Sequence, residues 1–272
     1  MVRQIELPAA AIVCVRVALG AATIGLLALA LRRRDILRLP GKAPLGLGLL
    51  VAAQFTLYFA AIQETSVASA VVVTYAAPVF LLVLAPVILG ERLTRVRIAA
   101  VGVSLTGVAL IALGSGTGQI RALGVGLAAA AALAFALLLV LFKRFAADLD
   151  ATTVVFWESV VAAVVLSPFA LFTSYTALDA GQIAALLVLG VVLSGMVTVL
   201  FVTALRWIPT TTGGVLTYLE PVSAALLAVV LLDEALTLPV VLGGIAIVGS
   251  GTATLLADRH EPAIPTPSGQ AV

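Results

Sequence analysis

The chain has 272 residues, of which 62% are hydrophobic and 10% are charged, and its net charge is +2. Soluble domains carry about 25% charged and about 45–50% apolar residues, so this composition excludes a soluble globule of this size and also a disordered chain. The small net charge does not indicate nucleic acid as a partner. We therefore predict a polytopic membrane protein in contact with the lipid bilayer.

A helix that crosses a bilayer needs about 20 apolar residues, and nine apolar segments fill the chain. Because the backbone in lipid must satisfy its own hydrogen bonds, these segments are predicted to be α-helices. The expected fold class is an all-α membrane protein. In chain order the predicted spans are 9–31, 44–63, 66–90, 96–114, 122–143, 152–172, 180–206, 210–232 and 238–256.

Lysine and arginine in the loops predict the orientation of these spans. Twelve of the 15 basic residues fall on one side, two fall on the other, and Arg16 lies within the first span. The basic side, which carries Arg33, Arg95 and Arg144, is predicted to be cytoplasmic. The proline-containing tail, 257–272, is predicted to be disordered and cytoplasmic, in a plasma (inner) membrane protein.

An internal repeat relates the two halves of the chain. Residues 74–94 read TYAAPVFLLVLAPVILGERLT, and residues 217–237 read TYLEPVSAALLAVVLLDEALT. Under this alignment spans one to four match spans six to nine, so the fifth span has no counterpart. The repeat unit is predicted to have five helices, with the first one missing from the first repeat. An odd-numbered unit inverts between copies, and inverted repeats are a common architecture of secondary transporters.

These paired segments resemble the signatures of the EamA-type transporters of the drug/metabolite transporter superfamily. The resemblance implies two inverted five-helix repeats, which we place at 1–114 (truncated to four helices) and 122–256. It also implies a transporter of small metabolites, often an exporter of amino acids or related compounds. The tryptophan-containing motif that usually opens the family's first helix is not present in this chain.

A proline lies in the middle of each of two equivalent spans, Pro78 in the third and Pro221 in the eighth. Proline frees the carbonyl four residues earlier, which belongs to Thr74 or Thr217. Interrupted helices at matching places are a sequence pointer to a transport site. The alternative is a structural kink without a ligand. The predicted substrate-binding residues here are Thr74, Tyr75, Pro78, Thr217, Tyr218, Glu220 and Pro221.

Glu220 is the candidate for proton coupling, because a carboxyl group in mid-membrane must be protonated, paired or in contact with water. It ends a small polar stripe that begins at Thr210 and could line a cavity. The alternative role is a neutral glutamic acid that fixes helix packing. The equivalent residue in the first repeat is Ala77, which argues for a function.

Arg16 stays charged within the membrane and needs a partner or water. We expect it to lie near Glu220 rather than Glu158, with carboxylate binding as one role and an inter-helix ion pair as the other. Gln54, Tyr58, Trp157 and Ser194 are further candidates within the spans, and a structural role is the favoured interpretation for them. Glu91 and Glu234 are expected to bond free backbone groups at their turns, together with Thr94 and Thr237.

These residues favour a secondary transporter of small polar molecules that works by alternating access. An inactive or truncated membrane subunit is the alternative. A membrane enzyme is the least favoured class, because the chain has one cysteine, Cys14, and its one histidine, His260, lies in the tail. We expect neither a metal nor another cofactor, and the sequence leaves homodimer formation open.

Overall fold

The computed structural model describes residues 8–38, 41–65, 67–114, 121–173, 178–223, 226 and 237–258, and the secondary structure of these residues is helical. We number the helices α1 to α11. They are α1 (Ala9–Ala30), α2 (Ala43–Glu64), α3 (Val67–Thr74), α4 (Ala77–Leu89), α5 (Arg95–Gly114), α6 (Ala122–Asp148), α7 (Ala151–Leu171), α8 (Ala180–Leu187), α9 (Thr198–Ala204), α10 (Thr210–Leu216) and α11 (Leu238–Asp258), with a 3-10 turn at Arg34–Leu37 and a π-helical segment at Val188–Val197.

Eight helical spans in the described part of the chain are long and apolar enough to cross a membrane. Two of them combine shorter elements: Ser69–Leu89 contains α4 and most of α3, and Ala180–Ala204 contains α8, the π-helical segment and α9. The eight spans correspond to eight of the nine predicted spans, with ends that differ by a few residues. The ninth prediction, 210–232, falls largely outside the described residues after 223. The tail after residue 258, including His260, and the turn that contains Glu234 also lie outside them.

The chain divides into two compact units, and unit 1 comprises Met1–Phe59 and Leu141–Trp207. In this unit α1 packs along α7. The Cys14 thiol donates to the carbonyl of Ala163, and Gly25 lies against the ring of Phe156. Because residues later in α1 contact residues earlier in α7, the two helices run antiparallel.

Unit 2 comprises Ala60–Val140 and Ile208–Val272, and in it α5 packs along α11. Ser104 and Ser250 share a buried hydrogen bond between their hydroxyl groups. A methyl group added at Gly107 would lie 2.7 Å from the carbonyl oxygen of Gly243, so the two backbones are in close contact. These pairs again place the two helices antiparallel.

The antiparallel pairs are those that the repeat makes equivalent. The starts of α1 and α7 are 142 residues apart, and the starts of α5 and α11 are 143 residues apart. Equivalent helices that pack antiparallel are the arrangement that inverted repeats require. The predicted fold class, a polytopic all-α protein built from inverted repeats, is therefore confirmed.

The start of α7 is fixed by polar contacts to the turn before α2. Asp150 caps the helix by accepting from the Thr153 amide at 3.2 Å, as N-cap aspartates do. Arg33 lies 3.4 Å from Asp150 and 3.1 Å from Asp35, and its hydrogen bond lowers the pKa of Asp35. The Trp157 indole donates to the carbonyl of Ile36 at 2.9 Å, so a structural contact accounts for this residue.

Candidate functional site

The first predicted helix interruption is present. Helix α3 ends at Thr74, Tyr75 and Ala76 form a turn, and α4 begins at Ala77. Pro78 is at the second position of α4, where its missing N–H group does not disturb a helical hydrogen bond. The proline thus begins a new helix after the turn.

The second predicted interruption lies at the equivalent place. Helix α10 ends at Leu216, Thr217 and Tyr218 form a turn, and the chain is helical again at 219–223. The Thr217 carbonyl accepts a hydrogen bond from the Glu220 amide at 3.1 Å. The expectation that this carbonyl would be unpaired is therefore wrong, because a tight turn gives it a donor three residues later. The free carbonyl of Thr74 stays a prediction.

Two buried hydroxyl groups lie at these interruptions without a hydrogen-bond partner in the described structure, those of Thr74 and Tyr218. Tyr218 is completely buried. Its ring lies 6.0 Å from that of the equivalent Tyr75, so the structure brings the two interruptions together. A buried hydroxyl without a partner is destabilising and rare in native proteins. A third such group, on Thr211, was not among the sequence candidates.

One member of the small polar stripe between Thr210 and Glu220 packs against a neighbouring helix. A methyl group at Gly214 would overlap with the side chain of Leu81 and lie 3.4 Å from Pro78, so this glycine packs against α4. Glu220 is exposed, and Thr210 is completely buried. Helix packing therefore explains Gly214, and the turn at Thr217 interrupts the stripe. A cavity along the stripe stays a prediction.

Glu91 caps a helix that is distant in the chain. Its carboxylate accepts the Thr210 amide at 2.8 and 3.0 Å and the Thr210 hydroxyl at 2.8 Å. Both residues are buried, and α10 begins at Thr210. These donors are 119 positions away, a contact that sequence reasoning did not predict, and bonds from Glu91 within its own turn stay a prediction. Thr94 does act locally, because its hydroxyl accepts from the Arg97 amide at 3.3 Å.

In unit 1 Arg16 lies among polar and aromatic side chains. Its Nε donates to the Ser194 hydroxyl at 2.6 Å. Its guanidinium carbon lies 5.0 Å from the ring centre of Phe55, within the range of a cation–π interaction. Glu158 is buried on α7, the helix that packs along α1. The alternative acidic partner therefore has support, and the pairing with Glu220, which belongs to unit 2, stays a prediction.

Ser194 belongs to the π-helical segment, which sequence reasoning did not predict. Its hydroxyl donates to the carbonyl of Leu189 at 3.1 Å, and Thr198 donates to Leu193 at 3.0 Å. Both bonds reach five residues back, which is the spacing of a π-helix. π-helical turns occur frequently at functional sites, and this one holds the residue that binds Arg16.

Arg16 and Glu158 occupy equivalent positions of the two repeats, at the shift of 142. Gly190 packs tightly on Leu19 and lies close to the carbonyl of Arg16. In the same way, a methyl group at Gly48 would lie 2.5 Å from Val161 and 2.7 Å from the carbonyl of Glu158. The two contacts are equivalent under the repeat. The positive charge of Arg16 and the negative charge of Glu158 therefore lie at equivalent positions of the two repeats. An alignment of the first spans could have revealed this pair.

The ten predicted site residues thus fall into two sets. Unit 1 contains Arg16, Gln54 and Tyr58, and unit 2 contains the seven residues around the two prolines. Gln54 is buried on α2 next to Phe55, and Tyr58 lies one turn further along the same helix. Within the described ranges no three histidine, cysteine or acidic side chains are close enough to hold a metal ion.

Comparisons with known proteins agree with this architecture. An uncharacterized transporter of Bacillus subtilis (strain 168), YxxF, is 27% identical over 244 residues, which are 87% of this chain and 75% of that protein. A solved crystal structure covers 93% of this chain and 90% of its own with a TM-score of 0.81 and 23% identity, and thus shares the fold. The model of the EamA-like transporter family matches residues 2–113 and 122–256. The chain therefore belongs to the EamA-like transporter family and is a multi-pass membrane transporter.

Proposed function

We propose that this transporter is a secondary exporter of small polar metabolites such as amino acids, and that it works by alternating access of its inverted repeats. The proposal places it in the plasma (inner) membrane with a cytoplasmic C-terminus, because the basic loops favour that orientation. It involves no enzymatic step and no cofactor.

The observation that carries the proposal is the pair of helix interruptions in unit 2. Each falls at the same place of its repeat, and the hydroxyl groups of Thr74 and Tyr218 beside them are buried without a partner. Leaving such groups unpaired is unfavourable. A polar substrate that bonds to them would remove this unfavourable term, which gives the site an intrinsic preference for polar ligands.

Other residues have supporting roles in the proposal. Tyr75 and Thr217 supply the other two hydroxyl groups at the two turns. Pro78 and Pro221 maintain the helix interruptions. In unit 1 Arg16 is the group that would bind a substrate carboxylate, with Gln54 and Tyr58 nearby on α2. Glu220 is exposed and is the proposed proton-coupling carboxyl group.

The test is substrate flux from liposomes that contain the purified full chain. The panel would include amino acids, amines, carboxylic acids and neutral metabolites, with protein-free liposomes as the blank. Thr74→Val and Tyr218→Phe remove only the hydroxyl groups. Each should lower flux about three- to tenfold, which corresponds to the loss of one neutral hydrogen bond.

The matched control is Thr106→Val, because the Thr106 hydroxyl bonds within its own helix to the Gly102 carbonyl at 2.9 Å. It should leave flux at the level of the unmodified protein. A structural role for Thr74 and Tyr218 gives a different result, in which flux is unchanged and the melting temperature of both variants changes. That outcome, or the absence of flux for the whole panel, would overturn the proposal.

A further inference from the structure

Two equivalent helices of unit 1 have different helical forms. Helix α2 is α-helical from Ala43 to Glu64, whereas its counterpart contains the π-helical segment Val188–Val197 between α8 and α9. In transporters with inverted repeats, alternating access moves one repeat relative to the other around a fixed site. The same place of the repeat is α-helical in one half and π-helical in the other, which makes the π-helical segment a candidate for a moving element.

We propose that the segment Val188–Val197 is the conformational switch of the transport cycle. It is π-helical while Arg16 is bonded to Ser194, and it becomes α-helical when Arg16 is released towards Glu158. The inference rests on the alternating-access function proposed above, and it assigns the moving element of that function.

Hydroxyl groups in the segment, and on Thr198 directly after it, distinguish the π-helical form from the α-helical form. Ser194 and Thr198 donate to carbonyl groups five residues back. Elsewhere, as at Thr56 and Thr203, the hydroxyl donates four residues back, to Ala52 and Val199, which is the spacing of an α-helix. The Ser194 and Thr198 bonds therefore stabilise the π form alone.

Ser194 links the hydrogen-bond spacing of this segment to the position of Arg16. Its hydroxyl donates to Leu189 and accepts from Arg16, and one hydroxyl can do both. Each residue of an α-helix turns about 100° around the axis, so loss of the π turn rotates Ser194 away from α1. Arg16 would then lose an acceptor while it keeps its charge.

Glu158 is suited to receive the released arginine. It lies on α7, which packs antiparallel to α1, at the position equivalent to that of Arg16. Its carboxyl group is buried and accepts a hydrogen bond from the neighbouring Ser159 at 3.3 Å. An approach of the guanidinium would add a bond between two ionised groups to this long hydroxyl contact, and such charge-assisted bonds are strong.

The test measures distances between spin labels in the full chain in lipid nanodiscs, in a Cys14→Ala background. Labels at Leu26 and Leu200, which are 68% and 67% exposed, span the switch within unit 1. Labels at Leu26 and Val164, which is 66% exposed, link α1 to α7 and serve as the reference. The readout is the population of each distance and does not require a known substrate.

Ser194→Ala and Thr198→Val should each change the ratio of the two Leu26–Leu200 populations about fivefold towards the second form, as expected for one hydrogen bond. Glu158→Gln removes the charge that receives Arg16 and should shift the ratio in the opposite direction. Thr203→Val is the matched control, because it removes an α-type bond on the same chain segment. The Leu26–Val164 distance should stay constant.

A single Leu26–Leu200 distance in all variants would overturn the switch, as would equal shifts in Thr198→Val and Thr203→Val. A Glu158→Gln shift in the same direction as Ser194→Ala would overturn the role of Glu158. The transport proposal is judged separately by flux. Flux without a change of distance refutes the switch alone, and changes of distance without any flux refute the proposed function alone.

Discussion

The Glu91→Ala substitution should lower the free energy of unfolding by about 2–4 kcal/mol. The Glu91 carboxylate is 5% exposed and accepts two donors of Thr210, the amide and the hydroxyl. A hydrogen bond to a charged group contributes about 1.5–3 kcal/mol. The two bonds share one residue at each end and are not additive, so the expected loss lies below the sum of about 3–6 kcal/mol.

Milder substitutions separate the two contributions. Glu91→Gln retains one carbonyl acceptor and should lower the free energy by about 1–2 kcal/mol. Thr210→Val removes the hydroxyl but keeps the amide bond, and it should have an effect of similar size. Because both changes affect one interaction, the double variant should be less destabilised than the sum of the single ones.

The assay is unfolding of the purified full chain in detergent micelles, followed by circular dichroism with increasing denaturant. Glu64→Gln is the matched control, because Glu64 lies 3.8 Å from Arg121 and both side chains are well exposed. An exposed pair contributes about 0–1 kcal/mol. Glu91→Ala with the stability of the unmodified protein, or a strictly additive double variant, would refute the cap between the end of α4 and the start of α10.

Three further predictions follow from the loops, from Glu220 and from α5. Cysteine labels from outside the cell should miss the loops at Arg33, Arg95 and Arg144 and the tail, and strong external labelling at two of these places would contradict the orientation. Glu220→Gln should insert normally but lose the pH dependence of flux in liposomes, whereas pH-dependent flux in both this variant and Glu220→Ala would exclude coupling. Gly107→Ala should lower the stability by about 1–3 kcal/mol, because the added methyl group overlaps with α11 and overpacking is destabilising. Gly102→Ala, which has open space for the methyl group, should not, and equal melting temperatures would refute the close contact.

The spans and the helix interruptions were predictable because they depend on local properties. Apolar runs of about 20 residues predict helices in lipid, and Pro78 and Pro221 predict breaks because proline lacks a backbone donor. The repeat added the antiparallel pairing of equivalent helices. Each of these inferences uses residues that are near in sequence or related by one constant shift.

The contacts of the candidate site were less predictable because they join distant residues. The bond from Arg16 to Ser194 depends on a π turn, and neither composition nor periodicity distinguishes a π turn from an α turn. The Glu91 cap joins residues in different repeats. The paired carbonyl of Thr217 depends on a turn of three residues that proline alone does not specify. Burial of Thr74 and Tyr218 without partners requires the packed structure.

The opposite charges at Arg16 and Glu158 have a consequence for the ancestry of the fold. A dimer of two identical copies of either repeat would bring like charges to the same pair of helices, two arginines or two glutamates. Such pairs repel each other in a medium of low dielectric constant. This arrangement of charges therefore requires two different repeats, and a half-gene expressed alone could not rebuild it by self-association.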